Sequence, residues 1–309
     1  MAKFLWTQKQ DLGPGRVLHG MAYDPMRKKT VVFGGVGTSN KELGDTWEWD
    51  GQYWMLYSDY GPQNRRSSAM AYDFSAHKVL LFGGVSITDT IADATFFGDT
   101  WQWDGENWTQ VADSGPIKRF RHAMAGDSVC KRVTLFGGEV VPQDPVLSDT
   151  WEWDGEQWTQ QEDMGPGARR QHSMAYDSTR GRVVLFGGLA VQGVSGETWE
   201  WDGSLWSRKS ETGPGPIFDA AMAYNGTESV LFGGVTPLGN SGNTWSWDGK
   251  FWTERQDMGP GPHTQHAMVY DQARSVVVLF GGIDGLNQLA DTWELPVTPT
   301  PPPAPPPGA

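Results

Sequence analysis

The sequence predicts an all-β chain: a six-bladed β-propeller of four-stranded antiparallel blades, its ring closed by the N-terminal strand in blade six. Three observations carry the prediction. The phrase DTWEWDGQYW at 45–54 returns closely at 99–108 and 149–158, more loosely in phrases ending at Trp206 and Trp252, and truncated from Asp291. The doublet FGG ends an apolar run in every unit, at Phe33, Phe82, Phe136, Phe186, Phe232 and Phe280. These phenylalanines are 49, 54, 50, 46 and 48 residues apart, and a period near fifty with several short strands per unit belongs to propeller blades.

The unit at 65–110 shows each strand in order. SSAMAYD reads as the first strand, with Ser68, Met70 and Tyr72 on one face and the small Ala69 and Ala71 on the other. KVLLFGG is an almost unbroken apolar run, as a strand covered on both faces requires. DTWQWDG and NWTQV follow as third and fourth strands, joined by an Asp-Gly pair suited to a tight hairpin because glycine reaches positive φ without steric cost. Such a sheet buries both faces against its neighbours, with Trp and Met filling the space beside Ala.

In the last unit Pro296 stands where the others turn into a fourth strand, yet Trp6-Thr7-Gln8 near the front repeats Trp108-Thr109-Gln110 and Trp158-Thr159-Gln160. Residues 4 to 9 are therefore expected to complete blade six. Closure of this kind removes exposed sheet edges. The expected domains are a propeller over 1–295 and a proline-rich tail or linker over 296–309, where eight of fourteen residues are proline and an extended polyproline conformation is favoured.

The 309-residue chain is 38% hydrophobic and 12% aromatic, enough for a buried core. Its formal charge of -13 repels polyphosphates and anionic lipid surfaces, so neither nucleic acid nor membrane is an expected partner. Cys130 is the single cysteine, which excludes an intrachain disulfide and a cysteine metal cluster. No signal peptide or run of 18 apolar residues is visible, so a cytoplasmic monomer is expected; a secreted protein whose signal had been removed would read the same way.

The FGG doublet, the alternation of small residues with Met before it and the Trp pair after it resemble the kelch-repeat family, over residues 4 to 295. The resemblance implies a six-bladed β-propeller. It does not single out a function, because the family includes actin-binding proteins, ubiquitin-ligase adaptors, plant thiohydroxamate-processing proteins, sugar epimerases and the propeller of galactose oxidase. Copper chemistry of the last kind needs a cysteine cross-linked to tyrosine, and Cys130 in GDSVCKR has no tyrosine near it in sequence. No cofactor is expected, and no nucleophile elbow, phosphate loop or His-Glu metal motif appears.

All seventeen tryptophans fall in repeat columns, which points to packing rather than sugar stacking. His19, His122, His172 and His266 share one column; imidazoles around an axis suit a metal, but period-2 counting turns them between blades, a structural role, and no metal site is expected. Arg16, Arg65, Arg119 and Arg169 recur three residues upstream, and Asp45, Asp99, Asp149, Glu197 and Asp291 open the third strands. The fifth unit lacks both arginine and acid, so a salt bridge is expected.

Departures from the repeat mark the candidate site, at the channel mouth formed by interblade and second-to-third-strand loops. After FGG come Val36, Val85, Leu189, Val235 and Ile283, but Glu139 in blade three. Ahead of the histidine column, Phe120, Phe218, Arg66, Arg170, Arg121 and Asp219 promise an apolar floor with convergent charges. The blade-two loop over 85–98, the longest of its kind, carries Asp89, Asp93, Phe96 and Phe97 and reads either as a lid over the mouth or as a loop tucked onto the scaffold. The expected function is a binding scaffold for a small molecule or partner segment. The alternative is an isomerase, lyase or cyclase in which Glu139 or Asp219 moves a proton.

Overall fold

A computed structural model describes residues 4–87, 90–141, 146–161, 164–255 and 257–297. Of the proline-rich stretch, residues 298–309 lie outside the described residues, as does Asp89 of the blade-two loop. Among the described residues the strands form six four-stranded antiparallel sheets, joined by small ladders of two or three strands. Blade two consists of Ala69–Asp73, Lys78–Phe82, Thr100–Trp103 and Trp108–Ala112, close to the bounds its alternation and its Asp-Gly turn predict. No described helix is long and apolar enough to cross a membrane.

The sixth sheet takes Ala267–Asp271, Val276–Phe280 and Thr292–Pro296 from the back of the chain and Thr7–Gln10 from the front, Thr7 opposite Glu294 and Gln8 opposite Trp293. One detail differs from expectation. Phe4–Leu5 does not extend that strand but runs parallel to Asp257–Met258, just beyond the outer strand of blade five. The break falls at Trp6, which is 5% exposed and sits in the core cluster of Phe232, Leu279 and Leu295, so the front of the chain laces blade five to blade six.

Packing between blades follows the period-2 pattern. Met70 and Tyr72 of blade two press on Ala22, Val31 and Phe33 of blade one, while Ala71 on the opposite face meets Met124 of blade three. Small alanine on one blade thus receives methionine from the next, and each large apolar side chain buried this way contributes about 1.5–3 kcal/mol. The inner strands neighbour one another in order around the axis, blade six returning to blade one.

Two polar devices fix the spacing. The outer-strand tryptophans donate their indole N–H to the third-strand threonine of the preceding blade: Trp108 to Thr46 at 2.8 Å, Trp158 to Thr100 at 2.9 Å, Trp206 to Thr150 at 2.8 Å and Trp252 to Thr198 at 2.8 Å. Trp54 to Thr292 at 2.9 Å and Trp6 to Thr244 at 3.1 Å complete the circuit.

The second device is the expected salt bridge, made within the blade in blades one to four. Arg65, 1% exposed, donates to Asp99 at 2.6 and 2.9 Å, to the Gly83 carbonyl at 3.0 Å and to the Gln63 carbonyl at 3.0 Å. Arg16 with Asp45, Arg119 with Asp149 and Arg169 with Glu197 repeat it, and His263 stands 3.4 Å from Asp291 in blade six. Burial pushes the Asp99 carboxyl up, but hydrogen bonds from Arg65 and Trp101 outweigh it and hold the group below the usual carboxylate range.

Candidate functional site

Six residues at one end of the channel form a closed ring of backbone hydrogen bonds. Each amide donates to a carbonyl one blade away: Leu18 to Gln265 at 3.2 Å, Gln265 to Asp219 at 3.3 Å, Asp219 to Gln171 at 3.1 Å, Gln171 to Arg121 at 2.9 Å, Arg121 to Ser67 at 2.9 Å and Ser67 to Leu18 at 2.8 Å. All six are non-glycine residues in the left-handed region, with φ between 54° and 58°. That conformation costs roughly 1–2 kcal/mol per residue, and its sixfold recurrence shows the local strain being offset by the ring it builds.

Just outside this hoop, the residues before it pair with the residues after FGG, as in Phe120 with Glu139, Arg66 with Val85, Phe218 with Val235 and Arg170 with Leu189. The interblade segments and the second-to-third-strand hairpins therefore share one face, the mouth. Behind the hoop lies a chamber of about 150 Å³, walled by hoop residues and the histidine column. A wider channel of about 780 Å³ opens toward the opposite face, and its lining, which includes Met21, Tyr72, Phe74 and Gly126, carries no charged side chain.

Glu139 is 1% exposed, and both its oxygens are taken, one by Arg121 at 2.7 Å and the other by Arg170 at 2.6 Å. Its burial is therefore offset by two guanidinium groups, themselves about a third exposed at the mouth. Asp219 is half-buried in the hoop and accepts a hydrogen bond from the Gln171 amide at 2.7 Å. Burial raises its carboxyl above the ordinary aspartate value, against the pull of Gln171 and the nearby Arg121.

The structure thus brings together Glu139, Arg121, Arg170 and Asp219, but treats the remaining predicted residues differently. Arg66 is drawn to Glu42, 3.3 Å away, which also accepts from Ser86 Oγ at 2.7 Å and the Ile87 amide at 2.9 Å. Glu42 was invisible to column counting because the hairpins differ in length: it pairs with Val36 as Phe96, Val194, Asn240 and Gln288 pair with the residue after FGG in their blades, a correspondence only the strand pairing reveals. Phe120 is 4% exposed, with Arg121 over its ring at 5.3 Å and Phe96 against it at 5.6 Å. Phe97 lies 3.8 Å from the Arg65 guanidinium and shields that clamp. The blade-two loop accordingly tucks its phenylalanines onto the scaffold. Phe218 is half-buried and tied to Val235 through two backbone hydrogen bonds.

The four histidines lie edge-on against the FGG phenylalanine of the preceding blade, as His122 does on Phe82 and His19 on Phe280, each at 5.5 Å. Burial, reinforced by the neighbouring clamp arginines, pushes His19 and His122 down to about 3. They are neutral packing groups between blades. Among the described residues no cluster of three or more His, Cys, Asp or Glu has the geometry to hold a metal ion.

Sequence alone missed the rim. Val191, Leu238 and Leu286, at the tips of the hairpins of blades four, five and six, are 72%, 101% and 93% exposed. The tips of blades five and six adjoin, with the Asn240 amide beside Gly285. The available signal was an aliphatic residue at the turn of each short hairpin, beside glycine and polar residues.

By fold this chain is a β-propeller protein. The solved structure titled "Structure of YjhT" matches it with a TM-score of 0.73, over 92% of this chain and 95% of that chain, at 12% sequence identity. That likeness concerns the fold alone. No protein-family model matches the chain, and no curated protein matches it.

Proposed function

We propose that the chain is a kelch-type propeller scaffold that grips a segment of a partner protein on its mouth face. The observation that carries this reading is a mismatch of sizes. The chamber behind the hoop measures about 150 Å³, whereas small-molecule pockets run to about 300–1,000 Å³. Outside it, three consecutive blades each carry an exposed aliphatic at the tip of the hairpin. Single exposed aliphatics are ordinary, but an arc of them beside a polar centre is what a protein partner uses. Val191, Leu238 and Leu286 would supply contact area, and Arg66, Arg121, Arg170 and Asp219 would orient the segment.

The test is selection of displayed peptides on the wild-type protein, with binding measured again on the Leu238→Asp/Leu286→Asp variant. Selected peptides should lose most of their affinity. If instead a metabolite raises the melting temperature of wild type but not of Glu139→Gln or Asp219→Asn, the site belongs to a small molecule and this reading falls.

The alternative, an enzyme of the isomerase, lyase or cyclase type, is favoured by one observation, the raised carboxyl of Asp219. Glu139 suits it less well, since neither of its oxygens is free to take a proton without displacing an arginine.

A further inference from the structure

An edge strand is where a sheet lies open to another chain, and natural proteins keep such strands polar or charged. Five outer strands of the propeller obey, reading Thr7-Gln8-Lys9, Thr109-Gln110, Thr159-Gln160, Ser207-Arg208-Lys209 and Thr253-Glu254-Arg255 after their tryptophan. Blade one does not. Its outer strand Trp54–Ser58 reads Trp-Met-Leu-Tyr-Ser, with Met55, Leu56 and Tyr57 46%, 53% and 42% exposed, and Tyr53 and Tyr60 beside it are 63% and 83% exposed.

The main chain of this strand is open as well. It is the last strand of its sheet and pairs on one side only, with Thr46–Trp49. The Asp50 amide donates to the Tyr53 carbonyl across the hairpin turn, and hydrogen-bonded pairs alternate from there. Tyr53 and Met55 therefore turn their peptide groups inward, whereas Trp54 and Leu56 turn theirs to the open edge. A bulge at Tyr57, where Leu56 faces Trp47 and Ser58 faces Thr46, ends the regular stretch just beyond these two residues.

We propose that two copies of this chain pair along this strand, antiparallel and about a twofold axis at Met55. In that register Trp54 of one copy lies opposite Leu56 of the other, and each such pair exchanges both of its main-chain hydrogen bonds, so that two four-stranded blades become one continuous sheet. Met55 meets Met55 and Tyr53 meets Tyr57, a cluster of thioethers and rings of the kind that packs well. The occupant is a second copy because the strand complements itself. Elsewhere two bodies of formal charge -13 repel, but the paired strands carry no charge, and in the same register neither Asp50 nor Asp59 faces a carboxylate of the other copy. At about 200 Å² for a large side chain, the exposed parts of Tyr53, Met55, Leu56, Tyr57 and Tyr60 come to about 570 Å² per copy. A symmetric pair covers about 1,100 Å², just above the roughly 1,000 Å² a specific interface needs. The pairing is independent of the mouth and its partner.

The test is sedimentation velocity on the full chain. Wild type should shift from monomer toward dimer as its concentration rises through the micromolar range, and more readily in high salt, which screens the repulsion between two acidic bodies. Met55→Lys, which sets like charges face to face on the axis, should weaken dimerisation about tenfold or more, while Thr109→Lys, the equivalent change in blade two, should leave it as it was. The axis itself is read by cross-linking. Facing residues of a non-hydrogen-bonded pair stand about 4.5 Å apart at Cα, within disulfide reach, so mild oxidation of Cys130→Ser/Met55→Cys should give a covalent dimer and Cys130→Ser/Thr109→Cys should not. A wild-type chain that stays monomeric overturns the proposal. So does a dimer that Met55→Lys leaves intact, or cross-linking that is equal at the two positions.

Discussion

The indole N–H of Trp6 donates to Thr244 Oγ1 at 3.1 Å, across 238 positions of sequence, and so ties the front of the chain to blade five while the next residues pair with blade six. Trp6→Phe keeps most of the buried surface and loses this bond, which predicts a loss of about 1 kcal/mol; Trp6→Ala should cost about 3–5 kcal/mol. Deleting residues 1–10 should lower the melting temperature and broaden the transition. An unchanged thermal transition after the deletion would show that the ring does not depend on its front strand.

The clamp of Arg65 on Asp99 should behave as a buried pair. A double-mutant cycle with Arg65→Ala and Asp99→Ala is expected to give a coupling of about 2–3 kcal/mol in denaturant titrations. The exposed pair Arg208 and Glu211 provides the contrast, with coupling of about 0–1 kcal/mol. Equal couplings for the two pairs would remove the clamp from the list of scaffold devices.

The buried histidines predict an unusual acid sensitivity. His19 and His122 are held at about 3 in the folded protein, while unfolded histidine titrates near 6.5. Between those values the unfolded chain binds protons that the folded one refuses, so stability falls as pH drops from about 6.5. Each such histidine contributes a slope of up to ~1.4 kcal/mol per pH unit. Clamp carboxylates such as Asp99 add their loss only at lower pH, near and below the usual carboxylate range. Replacing His122 and His172 with Ser and Ala, the residues blades two and five carry, should flatten the melting temperature against pH between 6.5 and 5. An unaltered slope would mean the imidazoles are protonated in place.

Glu139→Gln leaves Arg121 and Arg170 without their shared counter-charge. Because both arginines are partly exposed and regain water, the cost should be about 1–3 kcal/mol, less than for a fully buried pair. Asp219→Asn should move stability in the opposite direction. Its raised carboxyl means the charged form is penalised in the folded state, so at pH 7 the neutral amide is expected to melt at the same temperature or higher. Calorimetry on the two variants separates these signs.

The scaffold was legible because each of its devices repeats. Trp108, Arg65, Met70 and His122 stand in columns, and one mutual loss in blade five, where Ile217 replaces the arginine and Asn243 the acid, was enough to pair arginine with acid. The site was legible only where it broke a column, as Glu139 and Asp219 do. Counting could not show that Arg66 would turn to Glu42, since that contact joins two loops of different blades. Nor could it show the hoop, which is made of main-chain atoms and leaves no residue-type signature: Leu18, Ser67, Arg121, Gln171, Asp219 and Gln265 share a backbone angle and little else.

That indifference to residue type has a consequence. Since peptide groups close the hoop, its side chains can be exchanged without breaking that main-chain support, glycine and asparagine being the easiest entrants, valine or isoleucine the hardest, and Arg121 the one to keep because it partners the buried Glu139. The propeller therefore carries a rewritable collar, whose charge and width are open to redesign while the blades behind it stay as they are.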